Sequence, residues 1–371
     1  MDFSWTDEQL ALKEKTIKFA QEELNNDISE REQQNHFSVE DWKKCAEYGI
    51  LGLCIPREYG GQGHTPLTTI LMMEALGYGC LDNGLPFGLN SQMWSLQPAI
   101  LKFGSEAQKQ KYLPGLCQGE IMGAFGITEP ETGSDSYAMQ STATKTDGGY
   151  ILNGQKSYVT LAPVADIAVF FATTDPELGR WGITAFVVER SAKGFTTSPV
   201  RDKMGMRTIP MGDLYFEDCF IPEENRLGPE GAGVSLFTTA MESERGYIFA
   251  SQLGAMQRQL EDAIRYARKR KAFGQSIGKF QSVSNRVADM RLRLELAQML
   301  LYKVAWLEEQ GKPLLMEAAM AKLYLSEMFV ESSLDSIRLH GAKGYVTEYE
   351  IERDLRDGVG GLISSGEEEE E

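Results

Sequence analysis

The chain has 371 residues, of which 42% are hydrophobic and 25% charged, and its formal charge is −17. That length favours two or three packed regions over one core, and the acidity argues against non-specific nucleic-acid binding. No run of about 18 apolar residues occurs, so no transmembrane helix is expected. Cys45, Cys54, Cys80, Cys117 and Cys219 are scattered without CxxC spacing, and His36, His64 and His340 lie far apart. Neither a disulfide framework nor a metal site is expected from these. The start "MDFSWTDEQLALKEK" has neither a basic n-region nor an apolar h-region, and a cytoplasmic location is expected.

Residues 1–122 read as a mainly helical domain. Leu10, Ile17 and Leu24 recur at seven-residue spacing, and "SVEDWKKCAEYGI" opens with a Ser cap. The Gly/Pro-rich loop "IPREYGGQGHTP" precedes the helical "LTTILMMEALGYG", and "EAQKQKYLPGLCQGE" closes the region. Over 123–228 the texture changes to short β-branched and aromatic runs separated by Gly, Asp and Pro: "GYILNGQKSYVTLA", "DIAVFFATT", "GITAFVVE" and "DLYFEDCFIP". These predict a compact β domain. Over 229–371 long helical periods return. Val283, Val287, Met290, Leu294, Ala297, Leu301 and Val304 form a stripe expected to be bundle core, and a later helix is expected to end at Gly341. The acidic tail 367–371 is expected to stand outside the fold. The fold class is α+β, ordered helices, β domain, helical bundle.

The segment "GAFGITEPETGSDSYAMQSTAT" joins the helical and β regions. Its glycines permit close backbone approach, and Thr128, Ser134 and the local amides offer donors for a polar planar ligand. On composition alone it is an ordinary loop. Its neighbours say more: "GITEPETGSD", "NGQKSYVTLA", "RYARKRKAFGQSIGKFQ" and "GAKGYVTEYEIERDLRD" follow in order. Together they resemble the four signatures of the acyl-CoA dehydrogenase flavoproteins, and "IPREYGGQG" extends the likeness over essentially the whole chain.

The resemblance implies an N-terminal helical domain, a central β-barrel or sandwich and a C-terminal four-helix bundle, with FAD as cofactor. It places Phe125, Ile127, Thr128, Gly133 and Ser134 along the flavin, with Tyr158 packed on the ring and Thr160 near N5. Arg270, Phe273 and Gln281 would reach the FAD of a neighbouring subunit in a dimer of dimers, and Phe280, Arg338, Leu339 and Gly341 are further FAD-binding positions. Arg270 would sit at the pyrophosphate, where a forked, permanently charged guanidinium suits. The chain departs from the family pattern at Thr132, at Arg338 and Ala342 in "RLHGAKGY", and at its end. There Ser365 stands where a subset of the family carries its catalytic Glu, and the Thr and Gln expected beyond Gly366 are absent.

Glu242 and Glu244 stand two residues apart in "MESER", which on a helix is about 200° of rotation. A second subset of the family carries its base on this helix, immediately before an Arg. With Ser365 unable to act, the resemblance implies Glu244 as base and Glu242 as a charge on the other face. The family's reaction removes a proton α to a thioester carbonyl while the β-hydrogen leaves as hydride to the flavin. The chain further resembles prolyl-carrier-protein dehydrogenases, whose substrate is L-proline on a phosphopantetheinylated carrier. The alternative is a short or branched-chain acyl-CoA dehydrogenase of isovaleryl type. Oxygen or an electron-transfer flavoprotein would take the electrons. Arg268–Lys271 with Arg286, Arg291 and Arg293 form a candidate basic patch for an acidic carrier; the same residues also read as an ordinary solvated face.

Overall fold

A computed structural model describes residues 4–364. Its N-terminal helices are α1 (Asp7–Glu23), α2 (Ile28–Gln33), α3 (Val39–Tyr48), α4 (Pro66–Gly79), α5 (Gly84–Ser91), α6 (Gln97–Phe103) and α7 (Glu106–Cys117). Their starts follow capping chemistry. Ser38 accepts the Asp41 N–H at 3.1 Å, and Thr65 caps α4 with Pro66 at the first turn. The helix expected from the Leu10, Ile17 and Leu24 spacing forms as α1, with Leu24 buried just past its end, Ile17 half-buried and Leu10 exposed. The helix meets α4 where Gln9 donates to Thr68 Oγ1 at 3.0 Å, Lys13 pairs with Glu74 at 3.2 Å and Ala20 lies against Gly79.

A single π-helical turn, Gln92–Leu96, separates α5 from α6. Pro98 has no N–H to give the carbonyl of Trp94, so the α-helical ladder cannot run through this point. The Gln97 N–H bonds Gln92 O instead, and one extra residue bulges into the turn.

The central strands are β1 (Gly123–Gly126), β2 (Thr142–Thr146), β3 (Gly149–Thr160), β4 (Ile167–Thr173), β5 (Ile183–Glu189), β6 (Phe195–Thr197), β7 (Met211–Pro222) and β8 (Arg226–Leu227). They form one sheet in the order β6-β7-β3-β2-β4-β5-β8, with β1 parallel to β4. Along β4, Ile167, Val169 and Phe171 face a core shared with α6, α7 and Leu236, whereas Ala168, Phe170 and Ala172 face a second core with Phe186 and Phe216. The period of two is intact, but both faces are covered, so "IAVFFAT" reads as a continuous apolar run.

The chain returns to helices in α8 (Gly233–Tyr247) and α9 (Ala250–Lys269). A short hairpin, β9 (Lys271–Ala272) and β10 (Gln275–Ser276), leads to α10 (Gln281–Glu309), α11 (Leu315–His340), α12 (Ala342–Tyr345) and α13 (Ile351–Ile363). In α10 the stripe is buried from Met290 to Val304, while Val283 and Val287 are half-buried. Gly341 follows α11 with φ 63°. Among the described residues no helix is long and apolar enough to cross a membrane.

The two helical regions, distant in sequence, share one core containing Trp42, Met73, Leu76, Leu253, Met256, Leu294 and Phe329. Helix α4 meets α9 backbone to backbone. A Cβ on Gly77 would stand 1.8 Å from Ser251 O, and one on Gly254 would stand 2.0 Å from Glu74 O. At that crossing the fully buried Glu74 accepts from Lys13 Nζ at 3.2 Å, Gln298 Nε2 at 3.0 Å and the Tyr302 hydroxyl at 2.5 Å. Removing a buried carboxylate leaves three donors without it, the buried Tyr302 hydroxyl among them. Glu74→Ala is expected to lower unfolding free energy by about 2–4 kcal/mol in chemical denaturation. Glu22→Ala, which loses only a surface pair with Lys18, should leave stability unchanged.

Candidate active site

The loop after β1 and the far end of β3 face one another. Thr128 O accepts the Ser157 N–H at 2.7 Å. Beneath that bond a buried ion pair joins the two segments: Lys156 Nζ lies 2.7 Å from Glu129 Oε1, and neither side chain is more than 3% exposed. Glu129 also accepts the Gln140 and Ser141 N–H groups at 2.5 and 3.0 Å. Burial pushes the Lys156 ammonium down to about 8 against the pull of Glu129. For Glu129, burial opposes ionisation, but Lys156 and the N–H donors hold the carboxyl below its usual range. The pair therefore stays charged at neutral pH and ties the loop to the strand.

Just beyond Lys156 the β3–β7 register shifts, and a bulge of this kind re-aims a side chain. Tyr158 sits there with φ 58° and its ring 58% exposed. Its N–H donates to Asp213 Oδ1 at 3.2 Å, and the Arg201 guanidinium, paired with Asp213 at 2.6 Å, stacks 4.8 Å from the ring centre. A non-glycine residue at positive φ with an exposed aromatic ring is costly unless another surface covers it. Burial holds Asp213 against ionisation, yet Arg201 and the Tyr158 N–H lower its carboxyl below the usual range.

Around this point Phe125, Ile127, Thr128 and Thr160 are half-buried, and Gly133 and Ser134 are exposed with open space about Gly133. Thr132, one of the family departures, is buried with its hydroxyl unpartnered. An open glycine edge, an orphaned hydroxyl and an uncovered aromatic ring fit a planar, polar-edged group such as a flavin.

Glu244 approaches from α8. A pocket between the loop and this helix is lined by Ile127, Ser136, Tyr137, Phe171, Val234 and Phe237 among others. Phe237 lies seven residues before Glu244, so the two share one helix face. Glu244 is half-buried and accepts a hydrogen bond from the Ser95 hydroxyl of the π-turn. Glu242 is half-buried as well rather than an open surface charge. Sequence reasoning missed Ser95, which carries no motif. It also missed the Glu129–Lys156 pair, although both residues fall inside the quoted signatures.

The remaining candidates lie elsewhere. Arg270, Phe273, Gln281, Arg338 and Gly341 are exposed, Phe280 is half-buried and Leu339 buried. Phe273 and Gly274, at φ 50° and 79°, form the two-residue turn between β9 and β10. That turn holds the Phe273 ring 96% exposed, against Phe280 alone at 6.1 Å. Arg338 pairs with the buried Asp335 at 3.2 Å, alongside Arg293 at 2.7 Å and Arg286. Burial opposes ionisation of Asp335, but the three arginines hold its carboxyl below the usual range. The expected basic patch shrinks accordingly. Arg286 and Arg293 are committed to Asp335, and Arg291 pairs with Glu295, leaving 268–271 as its exposed part. Ser365 and the acidic end lie outside the described residues.

Family models of the acyl-CoA dehydrogenase N-terminal, middle and C-terminal domains match residues 6–120, 124–219 and 231–370. This chain belongs to the acyl-CoA dehydrogenase family. It is 43% identical to an L-prolyl-[peptidyl-carrier protein] dehydrogenase of Pseudomonas fluorescens Pf-5, over 99% of this chain and 96% of the relative. Its structure is similar to that of the prolyl acyl carrier protein oxidase AnaB, with a TM-score of 0.98, 46% identity, and coverage of 99% and 97%. The structure of PigA with FAD and proline matches with a TM-score of 0.96, 39% identity, and coverage of 100% and 96%.

The buried pair supplies a test. Lys156→Met strands Glu129 as an uncompensated buried charge and is expected to cost about 3–5 kcal/mol. Adding Glu129→Gln should recover part of that loss. The measurement is denaturant unfolding of the two single variants and the double variant, read as a cycle.

Proposed function

We propose that this chain is an FAD-dependent dehydrogenase or oxidase acting on L-proline held as a thioester on a phosphopantetheinylated carrier protein. It gives a pyrroline-carboxyl thioester, or a pyrrole after further oxidation. The observation that carries the reading is Glu244: a half-buried carboxylate, held by a buried hydroxyl, on the helix face that lines the pocket beneath the flavin loop. The identity to relatives named for prolyl-carrier substrates, over nearly the full chain, supports the substrate.

Glu244 takes the prolyl Cα proton, which the thioester carbonyl acidifies. Bound FAD supplies the two-electron acceptor for the hydride that leaves the ring. Thr128 and Thr160 would give the polar contacts at the flavin edge, Tyr158 would pack on its ring, and Phe125, Ile127, Gly133 and Ser134 would line its bed. The Glu129–Lys156 pair holds loop and strand at the spacing these contacts need. Oxygen or an electron-transfer flavoprotein takes the electrons.

The site is completed by a second copy of the chain. Arg270, Phe273 and Gln281 would contact the neighbour's FAD, with Phe280, Arg338, Leu339 and Gly341 as further FAD-binding positions, and such a contact would cover the Phe273 ring. Exposed Leu292, Leu296 and Met299 on α10, with Leu315, Met316 and Met320 on α11, supply apolar surface for a dimer of dimers. Arg268, Lys269 and Lys271 give carrier docking a local basic edge on an acidic protein.

Two measurements test the reading. Purified protein should oxidise prolyl-carrier protein far faster than isovaleryl-CoA, and the reverse order would move the chain to the branched acyl-CoA alternative. Glu244→Gln should keep its yellow flavin yet lose about 10²–10⁴-fold in flavin reduction, while Glu242→Gln stays active. Equal losses in both would remove Glu244 from its role.

A further inference from the structure

We infer that Ser95, carried on the π-helical turn between α5 and α6, is the positioning residue of the catalytic carboxylate. This rests on the reading of Glu244 as the base. A glutamate has three side-chain torsions, and general-base catalysis needs its oxygen within hydrogen-bond reach of one particular hydrogen. Helix α8 sets the first part of that side chain. The Ser95 hydroxyl, on a residue only 1% exposed, donates to Glu244 Oε2 from across the domain junction. Anchoring one oxygen narrows the directions in which the carboxylate can point.

The turn that carries Ser95 is braced on several sides. Gln92 Oε1 accepts the Gly123 N–H at 2.9 Å, and Gln92 Nε2 donates to Leu116 O at 3.2 Å, which ties the turn to β1 and α7. The Trp94 ring lies 4.6 Å from that of Tyr247, one helical turn beyond Glu244. Trp94 Nε1 donates to Asn90 at 2.9 Å, and Asn90 in turn donates to Ser251 at 3.2 Å. The same five-residue turn therefore touches α8 at two successive points, by packing at Tyr247 and by a hydrogen bond at Glu244. In a regular α-helix the residues after Gln92 would be rotated away from this arrangement, so the bulge caused by Pro98 sets which side chain meets the base. The hydroxyl also suits both halves of proton transfer, because it can donate to the carboxylate and accept from the carboxylic acid. Alanine loses that contact.

The experiment is rapid-mixing flavin reduction by prolyl-carrier protein, with proline either unlabelled or deuterated at Cα. Ser95→Ala is expected to retain flavin, to bind substrate within about twofold of wild type, and to slow reduction by about 10- to 100-fold. The Cα-deuterium isotope effect should rise, because abstraction of that hydrogen becomes the slower event. Ser95→Thr, which restores the hydroxyl, should recover much of the rate. Ser95→Cys, nearly isosteric with a weak donor, should behave like alanine, and it stands in for alanine if that variant fails to fold. Wild-type rate and isotope effect in Ser95→Ala and Ser95→Cys, beside an inactive Glu244→Gln, would overturn the role of Ser95 alone. Slowing with an unchanged isotope effect would also overturn it, as a packing defect. An active Glu244→Gln would instead overturn the reading of the base, and the role of Ser95 with it.

Discussion

The site depends on how closely α4 can approach α9. Gly77 and Gly254 let the two backbones touch, and any side chain at either position would collide with a carbonyl of the other helix. Because of that contact the N-terminal helices and the C-terminal bundle bury one common core instead of two. The buried Glu74, bonded to α1 and α10, satisfies its polar groups at the same crossing. The consequence reaches α8, which runs directly into α9 through Ile248 and Phe249. With α9 fixed against α4, the π-turn before α6 lies against α8, and Ser95 stands opposite Glu244. The proposed base and the serine that donates to it are thus brought together by a helix crossing elsewhere in the fold.

A second constraint acts within the β domain. An isolated charge at the depth of Lys156 would be prohibitive, and Glu129 compensates it only if loop and strand keep their separation. The pair therefore acts as a spacer between the two segments that flank the proposed flavin bed. Its neighbour Tyr158 shows the same economy of means: a register shift turns its ring outward, and Asp213 with Arg201 holds it there. Rigid local devices of this sort suit a cofactor whose edge and face must both be met without rearrangement.

Much of this was legible in the residues. Changes of texture marked the helical, β and helical regions, because period-3.6 and period-2 patterns survive wherever an element has one buried face. The Met290–Val304 stripe is buried as its spacing implies. The seven-residue recurrence of Leu10, Ile17 and Leu24 marked a helix, although Leu10 at its start stays exposed. The basic patch was overcounted: Arg286 and Arg293 lie near 268–271 along the chain, but a single buried aspartate on α11 claims both. A carboxylate 42 residues and more away leaves no local trace.

By itself the sequence determined the order of elements and the loops with flavin-family character, which follow from hydrophobic period, turn chemistry and motifs a few residues long. The preference for Glu244 over Glu242 came from the family resemblance together with Ser365, not from the helix itself. Only the tertiary structure decided what surrounds that glutamate. Ser95 lies 149 residues earlier in the chain, on a turn whose geometry comes from a proline and whose position comes from two glycines in other helices. A hydrogen bond between such distant segments exists only because the packing of the core places them side by side.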